Sequence, residues 1–137
     1  MSGGQGVVAT DPAAVARALI DAENAGDVEG AVALFHPDAV VNDANGQRVG
    51  EDAIREWQVG LAANHFHADT GPPRVDGRTA TFDGSLAFDP FRNLGLDSLD
   101  ATWILEVEDG KVRTFTFTFT PESGERLQEA VRRAQSG

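Results

Sequence analysis

The sequence predicts an α+β fold: a cone-shaped, curved sheet of mixed or antiparallel strands with N-terminal helices over its concave face. Three observations carry this. Two short amphipathic helical patterns precede HisPro at 36–37, and a third follows Gly50. From about residue 64 onward the pattern changes to period-two runs rich in β-branched and aromatic residues. AspGly at 76–77 and GluAspGlyLys at 108–111 separate these runs, and both are hairpin signals, so neighbouring strands run antiparallel. Helices over one face of a curved sheet leave a pocket between the two layers.

Residues 1–9 are Gly-rich and expected to be loose, and 10–137 read as a single domain. Thr10 or Asp11 caps helix one, with Pro12 in its first turn. Val15, Ala16, Leu19, Ile20 and Ala22 form its apolar face, and AlaGlyAsp at 25–27 breaks it. Asp27 caps a second short helix with Ala31, Leu34 and Phe35 on its apolar side. HisPro at 36–37 ends that helix, because the residue before a proline is pushed out of the αR region. Ala39 to Asp43 is a short β-branched run, hence a strand, and AlaAsnGly at 44–46 turns the chain. Gly50 or Glu51 opens an acidic first turn, and Ile54, Trp57 and Leu61 recur at helical spacing.

Asn64 to Thr70 reads as a strand ended by GlyProPro at 71–73. Arg78–Phe88, Leu99–Val107 and Lys111–Thr120 are further strands, with an irregular connection over 89–97. A terminal helix spans 122–135, with Leu127, Ala130, Val131 and Ala134 on one face.

A chain of 137 residues can bury a sizeable core. Its 22 acidic and 11 basic residues give a net charge of −11, which argues against nucleic acid and against anionic membrane, since both need basic surface. There is no cysteine, hence no disulfide and no thiol chemistry. The first residues lack the basic and apolar regions of a signal peptide, and nothing reaches the apolar length of a membrane span; a cytoplasmic location is the expectation. No Gly-rich phosphate loop, Ser nucleophile motif or Walker pattern is present, and no cofactor is expected.

The stretch Asn24 to Trp57 carries AsnAlaGlyAsp, then AlaValAlaLeuPhe, then a strand ending in Asp43, then a Gly before AlaIleArgGluTrp. It resembles the front half of ketosteroid isomerases. The wider group is the nuclear-transport-factor-2-like fold, which also holds SnoaL-like polyketide cyclases and limonene-type epoxide hydrolases. The likeness is close over about residues 15–60 and looser to about residue 120. The resemblance implies that Asp43 is the general base that moves a proton between carbons. It also implies an oxyanion hole of a Tyr on helix one and a protonated Asp on a later strand. Here the Tyr position matches Leu19, the chain contains no Tyr, and the later Asp matches Thr102 or Trp103. Any electrophile must come from other groups, such as the indole NH of Trp57 or Trp103, or a His.

The residues support part of this independently. Strand alternation puts Ala39, Val41 and Asp43 on one face, so the carboxylate ends an apolar, inward row. A carboxylate in an apolar pocket is desolvated, and its pKa rises toward the range useful to a base. The competing reading is a turn aspartate capping AlaAsnGly. His65 and His67 share a strand face and offer a hydrogen-bond donor, a proton shuttle or two metal ligands; no third ligand has fixed spacing, and no metal is expected.

In ThrPheThrPheThrPheThr, 114–120, Phe115, Phe117 and Phe119 face one way and the threonines the other. The Phe row implies an apolar ligand, and Phe82, Gly84, Leu86, Trp57 and Trp103 could continue its wall. The uncharged β-branched Thr face suits a homodimer interface.

Three functions compete. The first is a cofactor-independent isomerase or cyclase acting on an apolar cyclic or polyketide-like molecule, with Asp43 as base. The second is an epoxide hydrolase or epoxide-opening cyclase, in which Asp43 could pair with Asp100; no inward Arg is evident for it, since Arg78 and Arg113 look outward. The third is a non-catalytic ligand-binding or dimerisation module, to which the missing Tyr points.

Overall fold

The computed structural model describes residues 11–43 and 46–136. Residues 1–9, expected to be loose, the Thr10 cap and most of the AlaAsnGly turn lie outside those residues.

Helix α1, Pro12–Ala25, begins at Asp11, whose side chain accepts from the Ala13 amide at 3.0 Å. It ends at Gly26, which adopts φ 70°, a left-handed conformation that glycine reaches without a Cβ clash. Asp27 then caps α2, Val28–Val32. This helix stops earlier than the HisPro signal predicts: Phe35 already belongs to strand β1, Phe35–Asp43, and HisPro sits inside the strand at a register irregularity against the last strand. Strand β2, Gly46–Val49, pairs antiparallel with β1 and is an element the sequence reading missed, since GlyGlnArgVal has one β-branched residue.

Helix α3, Glu51–Ala63, starts after Gly50 with Glu51 and Asp52 in its first turn. Strand β3, His67–Thr70, is shorter than predicted, because 64–66 close the helix and His65 takes φ 55°. Strands β4, Arg74–Asp76, and β5, Thr79–Ala87, form the hairpin that AspGly encodes. Gly84 of β5 has its α-carbon so near β3 that a Cβ there would lie 2.3 Å from the Asp69 carbonyl oxygen, so this close strand crossing requires glycine. A single helical turn, α4, Asp89–Arg92, interrupts the expected irregular connection. Strands β6, Leu99–Glu108, and β7, Lys111–Phe119, complete the sheet, and α5, Pro121–Ser136, closes the chain.

The sheet order is β2-β1-β7-β6-β5-β3, with β4 also on β5. β5, β6 and β7 form the predicted antiparallel meander. The β1–β2 hairpin joins it through a parallel β1–β7 pairing, which makes the sheet mixed. Leu19, Val41, Ile54, Phe82, Trp103, Leu105 and Phe115 are buried between the helices and the sheet. Helix α5 docks where the Ser123 hydroxyl accepts from the Asp100 amide at 2.8 Å. Its apolar face is shorter than predicted: Ala130 is buried and Leu127 partly so, while Val131 and Ala134 are exposed past the end of the sheet. No helix among the described residues is long and apolar enough to cross a membrane.

Candidate active site

Between α1, α3 and the concave face of the sheet lies a cavity of about 480 Å3. Its wall is aromatic. Trp57 meets Phe115 edge-on at 5.1 Å, Trp103 meets Phe117 at 5.3 Å, and Phe117 meets Phe119 at 5.0 Å between ring centroids. Alternation along β7 therefore aims Phe115, Phe117 and Phe119 inward, with Phe115 buried and the other two half-buried at the cavity.

Asp43 ends the inward row of Ala39 and Val41, both fully buried, and lines this cavity. It is not an isolated carboxylate: an inward Arg, which the sequence reading did not find, stands beside it. Strand β2 returns beside β1 with Arg48 opposite Val41, and the Arg48 guanidinium donates to Asp43 Oδ2 at 2.6 Å. Arg48 also lines the cavity, with its guanidinium carbon 6.0 Å from the centre of the Trp57 ring. The inward arginine was missed because β2 was missed.

A second carboxyl reaches the same cavity. Glu23 lies in the last turn of α1, where Asn24 holds the helix to edge strand β3 by donating to the Ala68 carbonyl at 2.9 Å and accepting from the Ala68 amide at 2.8 Å. Glu23 is 4% exposed. Gln58 of α3, equally buried, donates to Glu23 Oε2 at 2.7 Å. Burial pushes the Glu23 carboxyl up to about 7, against the smaller downward pull of the Gln58 hydrogen bond. A signal for Glu23 was present in the sequence: it continues the Val15, Leu19 spacing by one more i+4 step, a charged residue on an apolar helix face.

The other predicted site residues are dispersed. Trp57, Trp103, Phe115, Phe117 and Phe119 line the cavity, whereas Leu19 and Phe82 are sealed in the core beneath it; Phe82 stacks flat on Trp103 at 5.5 Å. Asp100 is exposed on β6 and does not line the cavity, because it sits on the opposite pleat from Ala101 and Trp103. His65 is also outside: it is exposed in the turn before β3 and hydrogen-bonds Asp89 at 2.6 Å, which holds the Asp89 carboxyl below the usual range with help from Arg92. His67 is exposed beside Asp69.

Elsewhere, His36, Glu108 and Asp109 bring ligand-type atoms within 4.8 Å of one another. There the His36 Nε2–H donates to the Glu108 carbonyl at 2.7 Å, and Arg78 occupies the Glu108 carboxylate at 3.0 Å. His36 Nε2 and the Glu108 carboxylate are thus already committed to protein partners.

The SnoaL-like domain pattern matches residues 16–115, most of the chain, including most of α1 and all of α2, β1 and β2. The chain belongs to the SnoaL-like domain family. No curated protein matches this SnoaL-like sequence. Among solved structures it is similar to a protein of Sinorhizobium meliloti described as a polyketide cyclase, at 24% identity and TM-score 0.67, covering 76% of this chain and 93% of that one. It is also similar to a protein of Kribbella flavida described as a ketosteroid isomerase, at 21% identity and TM-score 0.68, covering 80% and 77%. A third is SalBIII, described as an epoxide hydrolase/cyclase-like enzyme in pyran ring formation in salinomycin, at 16% identity and TM-score 0.71, covering 90% and 97%. At these identities the likeness shows the nuclear-transport-factor-2-like fold of the SnoaL-like chain and not its reaction.

Proposed function

We propose that this SnoaL-like protein is a cofactor-independent enzyme of proton transfer, an isomerase or cyclase acting on an apolar cyclic or polyketide-like molecule, with Asp43 as general base. The observation that carries this reading is a carboxylate at the end of an apolar strand row, opening with Arg48 into an aromatic cavity. The Asp43 carboxylate takes a proton from a carbon next to a ligand carbonyl and returns it at another carbon. The Arg48 guanidinium, with donors in the same cavity, stabilises the negative charge that develops on the ligand oxygen. The Asp43–Arg48 pair carries no net charge, which matches an uncharged ligand. Trp57, Trp103 and the Phe row supply its apolar contacts. The descriptions of the solved neighbours as a ketosteroid isomerase and a polyketide cyclase agree with this class of chemistry.

Asp43→Asn tests the assignment. The amide keeps the shape of the side chain and accepts no proton. Turnover is expected to fall by about 10²–10⁴-fold with little change in ligand binding. Equal turnover in the folded variant would favour the non-catalytic binding module.

The Arg48–Asp43 pair also favours a second reading, epoxide opening, in which Asp43 activates a water and Arg48 receives the developing alkoxide. Formation of a diol or cyclic ether from an epoxide separates it from isomerisation.

We further propose a homodimer through the outer sheet face. Thr116 and Thr118 of β7 and the exposed Ile104 of β6 lie there without charge. Light scattering at micromolar concentration is expected to show a dimer, and Thr116→Glu with Thr118→Glu a monomer, because like charges would face each other across a two-fold axis. A monomeric wild type would contradict this.

A further inference from the structure

We propose that Glu23, in its neutral form, donates a hydrogen bond to an oxygen of the ligand, so that the cavity selects uncharged apolar molecules bearing a carbonyl or ether oxygen, and that Gln58 is its positioning residue. This rests on the reading of the cavity as a small-molecule site.

The geometry gives the direction of the donor. Glu23 is 4% exposed, and no Lys, Arg or His among the described residues pairs with it. Arg48, the cation that lines the same cavity, is held by Asp43 at 2.6 Å. An unpaired carboxylate at such a position is costly, and the group escapes the cost by keeping its proton. Gln58 donates to Oε2, so Oε2 is the accepting oxygen of the neutral carboxyl and the hydroxyl falls on Oε1. Among the described residues, Oε1 has no protein partner, yet no side-chain oxygen sealed from open space is left unpartnered. Oε1 therefore reaches the cavity that Glu23 lines. The raising of the Glu23 carboxyl to about 7 by burial is in keeping with a neutral donor below that pH.

The surrounding charges leave Glu23 as the titrating group of this wall. Inside the cavity, Asp43 and Arg48 pair with each other, and Glu56 of α3 stands exposed at the rim. On the elements packed against α1, Glu29 of α2 is exposed and held by Arg55 of α3, and His67 and Asp69 of β3, Arg74 and Asp76 of β4, Asp83 of β5 and Asp100 of β6 are exposed. The consequence is a pH-dependent preference. Below about 7 the wall offers an O–H to an oxygen; above it, a carboxylate repels that oxygen.

Two probes of one ring skeleton test this, 1-tetralone with a carbonyl and tetralin without one, with binding to the full chain followed by ligand-observed NMR. The ratio of tetralone to tetralin affinity is expected to fall roughly tenfold between about pH 6 and about pH 8.5, while tetralin binding stays flat. Glu23→Gln is expected to keep the preference for the ketone, since its amide still donates, and to lose the pH dependence. Gln58→Leu is expected to move the midpoint upward, because the Gln58 hydrogen bond favours the charged form. Tetralin binding in each variant reports an intact cavity, and the wild-type titration needs no variant. A ratio independent of pH in the wild type, or a pH dependence that survives in Glu23→Gln, would overturn the proposal. Failure of both probes to bind would overturn it together with the small-molecule reading. Selective, pH-dependent binding beside absent turnover would sustain it while removing the enzymatic assignment of Asp43.

Discussion

Phe115→Ala is expected to lower the free energy of unfolding by about 3–5 kcal/mol, measured by urea denaturation. The ring is 2% exposed. It is set between Phe35 and Trp57, with centroids at 6.3 and 5.1 Å, and its strand neighbours are Val41 on β1 and Leu105 on β6. The strand neighbours cannot move into the space without shifting the sheet, so the loss includes a cavity as well as buried area. Phe117, two residues on, shares the face and the cavity wall but is only half-buried. Phe117→Ala is expected to cost less, about 1–2 kcal/mol, and to show its effect in weaker ligand binding. Equal destabilisation by the two substitutions would mean that no open cavity lies against Phe117.

Glu23→Gln is expected to make the protein more stable at pH 8 by on the order of 3 kcal/mol and to flatten its stability between pH 5 and 8. The sign follows from the direction of the shift. Burial raises the Glu23 carboxyl from 4.5 to about 7 in the folded protein. Between those values the unfolded chain has released this proton and the folded chain retains it, so wild-type stability falls as pH rises. The contribution is fully present below about 4.5 and lost once the pH exceeds about 7. Glutamine is neutral throughout and can keep a hydrogen bond to Gln58, so the variant lacks that decline. Urea denaturation of both proteins at pH 5 and pH 8 measures it. A difference between them that does not change with pH would mean that Glu23 titrates as an exposed carboxyl does.

The order of elements was legible in this sequence where local chemistry is strong. Asp11 with Pro12 and Asp27 mark helix starts, AspGly and GluAspGlyLys mark hairpins, and the Phe/Thr alternation of 114–120 gives both the strand and its inward face. Asp43 could be placed on the cavity side because Ala39 and Val41 precede it at period two. What stayed hidden depends on partners distant in sequence or on a weak element. Strand β2 has little β propensity of its own and forms because β1 offers an edge, and with it went Arg48. The Glu23–Gln58 pair joins residues 35 apart, and only the packing of α1 on α3 reveals that Gln58 donates to the Glu23 carboxyl. Asp100 and His65 looked available by type and spacing, yet a one-residue pleat parity turns Asp100 outward and the end of α3 takes His65 away from its strand.

The central claim, proton transfer with Asp43 as the base, is tested most directly by hydrogen–deuterium exchange at the carbon next to the carbonyl of 1-tetralone in D2O, followed by proton NMR with the protein present. Wild type is expected to accelerate exchange above the buffer rate, and Asp43→Asn to lose about 10²–10⁴-fold of that acceleration while still binding the ketone. Bound ketone that exchanges no faster than in buffer, or acceleration that is unchanged in Asp43→Asn, would contradict it.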